Sequence, residues 1–106
     1  MPPFAGFDWD EGNAEKCQRH GLSRAEVEAL FRSAPRLLGD PAHSRSEERL
    51  IAMGRSASGR PVFVAFTLRE LARQRLVRPI SARYMHAKEA ARYAETDPAH
   101  DDGRGG

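Results

Sequence analysis

The run VFVAF at residues 62–66 constrains the fold of this chain more than any other stretch, because it is apolar at every position. A strand with one face in water alternates apolar and polar residues, whereas a strand covered on both faces does not. We therefore expect a central β-strand with helices on one side and a further layer on the other. At 106 residues and 40% hydrophobic, the chain is long enough for one core, so a single domain over residues 1–94 is predicted.

Further strands are predicted on both sides of this run in the sequence. Residues 50–53 are apolar and are joined to the central strand by the turn sequence SASGR, where Gly59 suits the positive φ of a tight hairpin. Residues 75–83 predict a third strand, in which Pro79 indicates a sheet edge or a bulge because proline has no N–H to donate. The aromatic segment at 4–9 predicts one more strand, and GDPAHSRSEE at 39–48 has the composition of a surface loop.

Capping signals delimit two helices near the N-terminus. Asp10 is suited to cap a helix that runs through residue 19, and Gly21 can end that helix in a left-handed conformation. Ser23 and Glu26 have the spacing of a capping box for a second helix. This helix has an apolar stripe at i, i+3, i+4 and i+7, formed by Val27, Leu30, Phe31 and Ala34. Pro35 ends it.

The C-terminal part of the chain predicts a loosely docked helix and a tail. The stripe of this helix consists of methyl groups, whose burial contributes only about 0.8 kcal/mol per CH2-sized group: Ala87, Ala90, Ala91 and Ala94. Residues 95–106 are acidic and have little to bury, so we expect them to be disordered. The predicted fold is α+β, with an antiparallel sheet of three to four strands, two N-terminal helices packed on it and a C-terminal helix.

Arginine dominates the positive charge of the chain. Of the 17 Lys and Arg residues 15 are Arg, and residues 55–92 hold nine of these cations against two Glu. A guanidinium can hold a phosphate or a carboxylate through two parallel hydrogen bonds. Composition alone leaves two interpretations open, a polyanionic partner or arginines that only fill solvated positions.

Several classes of protein are disfavoured by the sequence. Cys17 is the single cysteine, so an internal disulfide is excluded, and we find neither an export signal nor an apolar run of about 20 residues. The histidines show no zinc-type spacing with Cys17, and no glycine-rich phosphate loop is present. We expect a soluble cytoplasmic protein with no metal and no cofactor.

The stretch PISARY at 79–84 brings together groups that suit a phosphodiester. Ser81 and Arg83 are two apart and so share one face of a strand. Arg83 could stabilise a pentacoordinate phosphate, Ser81 could donate to a phosphate oxygen, and Tyr84 could stack on a base. The alternative is structural: Ser81 caps a turn and Arg83 pairs with Glu89.

Other candidates lie elsewhere in the chain, each with a structural alternative. Lys16 and His20 stand four apart on one helix face, suited to holding a phosphate and moving a proton, although His20 could simply stabilise the helix end. Glu48 is a possible proton acceptor or an exposed partner for an arginine. Arg60 follows the tight turn and is either a phosphate ligand or solvated.

Three segments in this order resemble the BrnT family of type II toxins: FDWDEGNAEKCQRHGLS, DPAHSRSEERLIAMGRSASGRPVFVAFTLR and RPISARYMHAKEAARY, spanning about residues 7–93. The resemblance implies a RelE/ParE-like α+β fold and a metal-independent ribonuclease that arrests translation. It also implies a co-encoded DNA-binding antitoxin, BrnA, assembled with two copies of each protein, through which alone the toxin reaches operator DNA. The matching positions are Lys16, His20, Glu48, Arg49, Arg60, Ser81 and Arg83. The chain departs from the family at ELARQR (70–75), which lengthens the connection before the last strand, and at Pro79.

We therefore expect an endoribonuclease in which Arg60 and Arg83, from separate strands, converge on one phosphodiester. Ser81 positions the phosphate, and Glu48 or His20 transfers protons. The residues expected to bind RNA around this centre are Lys16, Arg49, Arg78 and Tyr84. We expect the antitoxin to cover an apolar groove beside the last helix and to neutralise the arginines with carboxylates. The alternative is a toxin-fold protein without nuclease activity, a co-repressor with its antitoxin or an inhibitor of a protein such as gyrase.

Overall fold

The computed structural model describes residues 4–33, 35–40 and 48–96 of the chain. In chain order the elements are β1 (Gly6–Phe7), α1 (Glu11–Gln18), α2 (Arg24–Arg32), β2 (Arg36–Gly39), β3 (Arg49–Arg55), β4 (Pro61–Leu71), β5 (Gln74–Tyr84) and α3 (Ala87–Thr96). The α+β prediction is confirmed. Ala34 of the predicted stripe and positions 41–47 of the predicted loop lie outside the described residues.

The sheet is mixed and has five strands in the order β1-β5-β4-β3-β2, which corrects the prediction of three to four antiparallel strands. β1 runs parallel to β5, with Asp8 N donating to Val77 O at 2.8 Å. β2 lies antiparallel to β3 at the opposite edge. These edge strands have two and four residues, too few to show a period-2 pattern in the sequence.

The central strand β4 is buried on the face that α1 and α2 cover and only half-buried on the other, so the predicted cover on both faces is confirmed for one face only. Val62, Val64 and Phe66 are each no more than 1% exposed and belong to the core formed with α1 and α2. The alternate residues Phe63 and Ala65 are half-buried and point to the other side. We call that side the open face, and cross-strand register sets its residues in two rows: Arg36, Met53, Phe63 and Arg83, then Leu38, Ile51, Ala65 and Ser81.

The predicted caps of the two N-terminal helices are confirmed. Asp10 Oδ1 accepts from Asn13 N at 2.9 Å, while Asn13 Oδ1 accepts from Asp10 N at 2.7 Å. Ser23 and Glu26 make the same reciprocal exchange at the start of α2. Gly21 has φ +86°, the left-handed conformation predicted for the end of α1.

The β4–β5 hairpin is longer and tighter than the sequence predicts. β4 continues to Leu71 and β5 begins at Gln74, so ELARQR extends the strands and the connection is only the two-residue turn Ala72–Arg73. Pairing passes from Ala65–Ser81 to Phe66–Pro79 and skips Ile80, which confirms the bulge predicted near Pro79.

Helix α3 lies at the end of β5 and contacts the open face through a different stripe from the one predicted. Tyr93 is its buried side chain, 9% exposed, with Ala90 and Ala94 half-buried beside it. Ala87 and Ala91 are exposed, so the four-alanine stripe is wrong in part. The helix extends through Thr96, two residues into the predicted tail, and 97–106 lie outside the described residues. Among the described helices none is long and apolar enough to cross a membrane.

Candidate functional site

A cavity of about 280 Å³ on the open face brings together the serine and the arginine of the PISARY stretch. Ser81 and Arg83 lie on the same face of β5, as predicted, because they are two residues apart on an extended strand. We call this hollow the serine–arginine cavity. Its lining residues are Ile51, Phe63, Ala65, Ser81, Ala82, Arg83 and Glu89.

The guanidinium of Arg83 is held on three sides. Its two terminal nitrogens donate to the two carboxylate oxygens of Glu89 at 2.8 and 2.9 Å. It also donates to Tyr84 O at 3.3 Å, and its carbon lies 4.8 Å from the centroid of the Phe63 ring. The structure thus shows the ion pair with Glu89 that the sequence left open as the structural alternative.

This ion pair shifts the pKa of both partners toward the charged form. The pKa of Glu89 falls to about 2, mainly through the hydrogen bond from Arg83 and then through the backbone N–H of His86, which donates to Glu89 at 2.9 Å. The pKa of Arg83 rises for the same reason. The cavity of the free protein therefore holds a fixed cation with its own internal counter-ion.

Arg60 lies on the opposite side of the sheet from Arg83, so the expected convergence of these two arginines is wrong. Its guanidinium carbon is 3.6 Å from the centroid of the Tyr84 ring. Tyr84 packs against the core on the helix-covered side, where a Cβ added to Gly21 would lie 3.8 Å from its ring. Because Arg83 and Tyr84 are consecutive on a strand, their side chains point to opposite faces.

It follows that Tyr84 does not share a surface with Ser81 and Arg83. The aromatic ring next to Arg83 is Phe63, which is in register with it on the neighbouring strand. In the sequence Phe63 stands out only as part of an apolar run. Alternation along a strand from a buried Val62 places its side chain on the open face.

The two proton-transfer candidates also lie away from the cavity. His20 is exposed and follows α1, next to Gly21 on the helix-covered side. Glu48 is exposed and precedes β3. It stands three residues before Ile51, the β3 residue that lines the cavity, so the distance between these two residues along the chain is about 10 Å at about 3.3 Å per residue.

Three predicted RNA-binding residues have other surroundings. Arg78 donates to Asp10 Oδ2 at 2.6 Å and to Asp8 Oδ2 at 3.4 Å, which ties β5 to the start of α1 and lowers the pKa of Asp10. Lys16 lines a separate cavity of about 280 Å³ beside Arg78. Arg49 is half-buried on β3 and is in register with Thr67.

Glu89 lines the cavity, although the sequence indicates for it only a structural ion pair with Arg83. Its signal in the sequence is the spacing His86-x-x-Glu89, which matches the reach of a side chain back to a helix N-cap. Over the described ranges, no group of three His, Cys, Asp or Glu side chains could hold a metal ion.

A five-stranded sheet with two helices on one face, and a cavity lined by an arginine, a serine and an aromatic ring on the other, defines the class as a small α+β protein with a polar cavity on its open face. Residues 9–89 match the family described as the ribonuclease toxin, BrnT, of type II toxin–antitoxin systems. This match covers most of the chain, so the chain belongs to that family, and the resemblance seen in the sequence is confirmed. A comparison with curated proteins finds none that matches. Family membership makes this chain the toxin component, with an antitoxin as its partner and RNA as its substrate.

Proposed function

We propose that this toxin cleaves RNA in the serine–arginine cavity without a metal ion and thereby arrests translation. The observation that carries this proposal is the placement of Ser81 and Arg83 on one face of β5, with the guanidinium of Arg83 over the ring of Phe63. A guanidinium matches the geometry of a phosphate, and an apolar ring beside it can accept a base.

The reaction begins with attack of a ribose 2′-oxygen on the adjacent phosphorus. The bond from phosphorus to the 5′-oxygen breaks, which leaves a 2′,3′-cyclic phosphate and a 5′-hydroxyl. One proton leaves the 2′-hydroxyl and one is delivered to the departing 5′-oxygen. Arg83 stabilises the negative charge that accumulates on the phosphorane oxygens, and the hydroxyl of Ser81 donates to one of them.

We assign the proton acceptor to Glu89 in place of Glu48 or His20, because Glu89 lines the cavity and the other two do not. In the free protein its pKa of about 2 makes it a weak base. When a phosphate takes the N–H groups of Arg83, the main cause of that low pKa is removed and the carboxylate becomes more basic. Binding of the substrate would thus activate the base.

The remaining predicted residues have a proposed part outside the cavity. Lys16, His20, Arg49, Arg60, Arg78 and Tyr84 would contact stretches of the RNA away from the cleaved phosphate, through charge or stacking. Such contacts contribute to RNA affinity, which falls as the salt concentration rises, and take no part in the cleavage step.

Metal independence is supported by the donor groups of the cavity, since the side chains of Ser and Arg can donate directly to a phosphate oxygen.

The partner we propose is a DNA-binding antitoxin of the BrnA type, in an assembly of two toxins and two antitoxins in the cytoplasm. Operator DNA would be contacted only through the antitoxin.

A second candidate function, binding without cleavage, is favoured by one observation: the cation of the cavity is already neutralised by Glu89. Induction of the chain alone in cells separates the two, since fragmented RNA supports the nuclease and filamentation with DNA damage supports inhibition of a protein such as gyrase.

The direct test uses the purified chain with a defined RNA in excess chelator. We expect cleavage with 2′,3′-cyclic ends, retained in Arg73→Ala, whose arginine lies at the exposed β4–β5 turn. Intact RNA after incubation with the folded chain would contradict nuclease activity. Cleavage only after addition of Mg²⁺ would contradict metal independence.

A further inference from the structure

A second hollow adjoins the serine–arginine cavity on the open face. It has a volume of about 360 Å³ and lies between α3 and strands β2 and β3. Its apolar lining residues are Leu38, Met53, Phe63 and Tyr93. Leu38 remains 50% exposed on a strand whose outer edge pairs with no other strand in the described part of the chain. We call this hollow the α3 groove.

Basic side chains surround this apolar floor. Arg36, Lys88 and Arg92 line the groove, and Glu89 is its carboxylate. Both oxygens of Glu89 already accept from Arg83. Within the described residues, neither Lys88 nor Arg92 forms an ion pair. The groove therefore combines exposed apolar surface with the positive charges of Lys88 and Arg92, which no ion pair within the described residues balances.

We propose that the α3 groove is the docking site for a segment of the antitoxin that carries aliphatic side chains flanked by Asp or Glu. Apolar side chains would fill the floor over Leu38 and Met53, and the carboxylates would meet Lys88 and Arg92 at the rim. Exposed apolar surface rimmed by polar groups marks a protein interface. Because the rim is positively charged, we expect the antitoxin segment that binds there to carry carboxylates.

RNA fits the groove less well than such a segment. Single-stranded RNA is held by exposed flat rings on which bases stack. Tyr93 is only 9% exposed, and the guanidinium carbon of Arg55 lies 5.4 Å from its ring centroid. The other ring of the floor, Phe63, is half-buried and faces the guanidinium of Arg83, whereas the aliphatic Leu38 is 50% exposed.

The position of the groove also explains how an antitoxin would silence the toxin. Phe63 and Glu89 line both the groove and the serine–arginine cavity. A segment seated in the groove would touch the wall of the cavity, and its carboxylates would compete with RNA for Arg83. This step rests on the proposed site of RNA cleavage, whereas the docking itself does not.

The experiment measures affinity for the antitoxin encoded beside this chain by titration calorimetry. We expect Arg92→Glu and Leu38→Asp each to weaken binding at least tenfold, and the affinity of the unchanged chain to fall as salt rises. Arg73→Glu, the same change of charge at the β4–β5 turn, is the matched control and should bind as the unchanged chain does. Circular dichroism confirms folding, which these exposed positions should preserve.

Two outcomes would overturn the docking proposal. One is an affinity within twofold of the unchanged chain for both variants. The other is loss of RNA binding with full antitoxin affinity, which would make the groove an RNA site. Calorimetry does not depend on cleavage, so weakened antitoxin binding in a chain that never cuts RNA would support the groove and refute only the nuclease.

Discussion

Arg83 and Glu89 form a bidentate ion pair with N···O distances of 2.8 and 2.9 Å. This pair joins the end of β5 to the first turn of α3. Their side chains are 37% and 33% exposed, so solvent screens the pair and its contribution to stability is at most about 1 kcal/mol. Its consequence for function is larger, because it decides whether the cation of the cavity is available to a phosphate.

The variant Glu89→Gln tests whether Glu89 accepts a proton during cleavage or only holds Arg83 in place. Glutamine keeps the shape of the side chain but cannot accept a proton at neutral pH, so we expect the single-turnover rate at saturating RNA to fall about 10²- to 10⁴-fold. RNA affinity should stay equal or increase, since Arg83 loses its counter-ion. A faster rate in Glu89→Gln would show instead that this carboxylate only restrains Arg83.

Acid should weaken the fold partly through the same carboxylate. The pKa of Glu89 is lowered from 4.5 to about 2, so its contribution to the free energy of unfolding is complete above pH 4.5 and is lost as pH falls toward 2. Urea unfolding at pH 6 and pH 3 should show a smaller loss of stability in Glu89→Gln than in the unchanged chain. Equal losses in both proteins would mean that the pair does not persist in solution.

Gly54 marks a close approach of α2 to the sheet. A Cβ at this position would lie 2.7 Å from Leu30 Cδ1 and 3.1 Å from Leu30 Cγ, and Leu30 is only 3% exposed. We expect Gly54→Ala to lower the free energy of unfolding by about 1–3 kcal/mol. Gly39→Ala is the control, since a Cβ there meets nothing within 4 Å. Denaturant unfolding of both variants checks the prediction, and equal stabilities would contradict the tight packing.

The β4–β5 turn offers a stabilising change. Ala72 and Arg73 have φ of +52° and +65°, a region that costs a residue with a side chain about 1–2 kcal/mol. Asn-Gly is the preferred pair for a two-residue hairpin turn. We expect Ala72→Asn with Arg73→Gly to raise the free energy of unfolding by about 1 kcal/mol, a rise in Tm of about 4–8 °C. A lower Tm in a scanning calorimeter would show that these two residues do not adopt positive φ.

The sequence predicted those parts of the fold whose signals are local. Asp10 and Ser23 cap helices because their side chains reach backbone N–H groups three residues on, and Pro79 perturbs its strand because it has no donor. The central strand is predictable because its residues 62–66 are all apolar. β1 was not placed parallel to β5, since a pairing across some 70 residues leaves no local pattern.

The candidate site was predicted only where residues lie on the same strand. Ser81 and Arg83 share a face by simple alternation, which the sequence shows. Whether Arg60 joins them depends on the register between strands, and the bulge at Ile80 makes that register unpredictable from spacing. Arg60 also has the same parity as the buried Val62, a signal that sequence reasoning did not use.

The central claim, that the open face and not the Arg60 side holds the reacting phosphodiester, is tested most directly by Arg83→Ala and Arg60→Ala compared in single-turnover RNA cleavage. We predict that Arg83→Ala lowers the saturating rate by about 10²- to 10³-fold. Arg60→Ala should raise the RNA concentration needed for half of the maximal rate and leave the saturating rate within about threefold, as expected when only binding is affected. A saturating rate that collapses in Arg60→Ala and persists in Arg83→Ala would contradict the account.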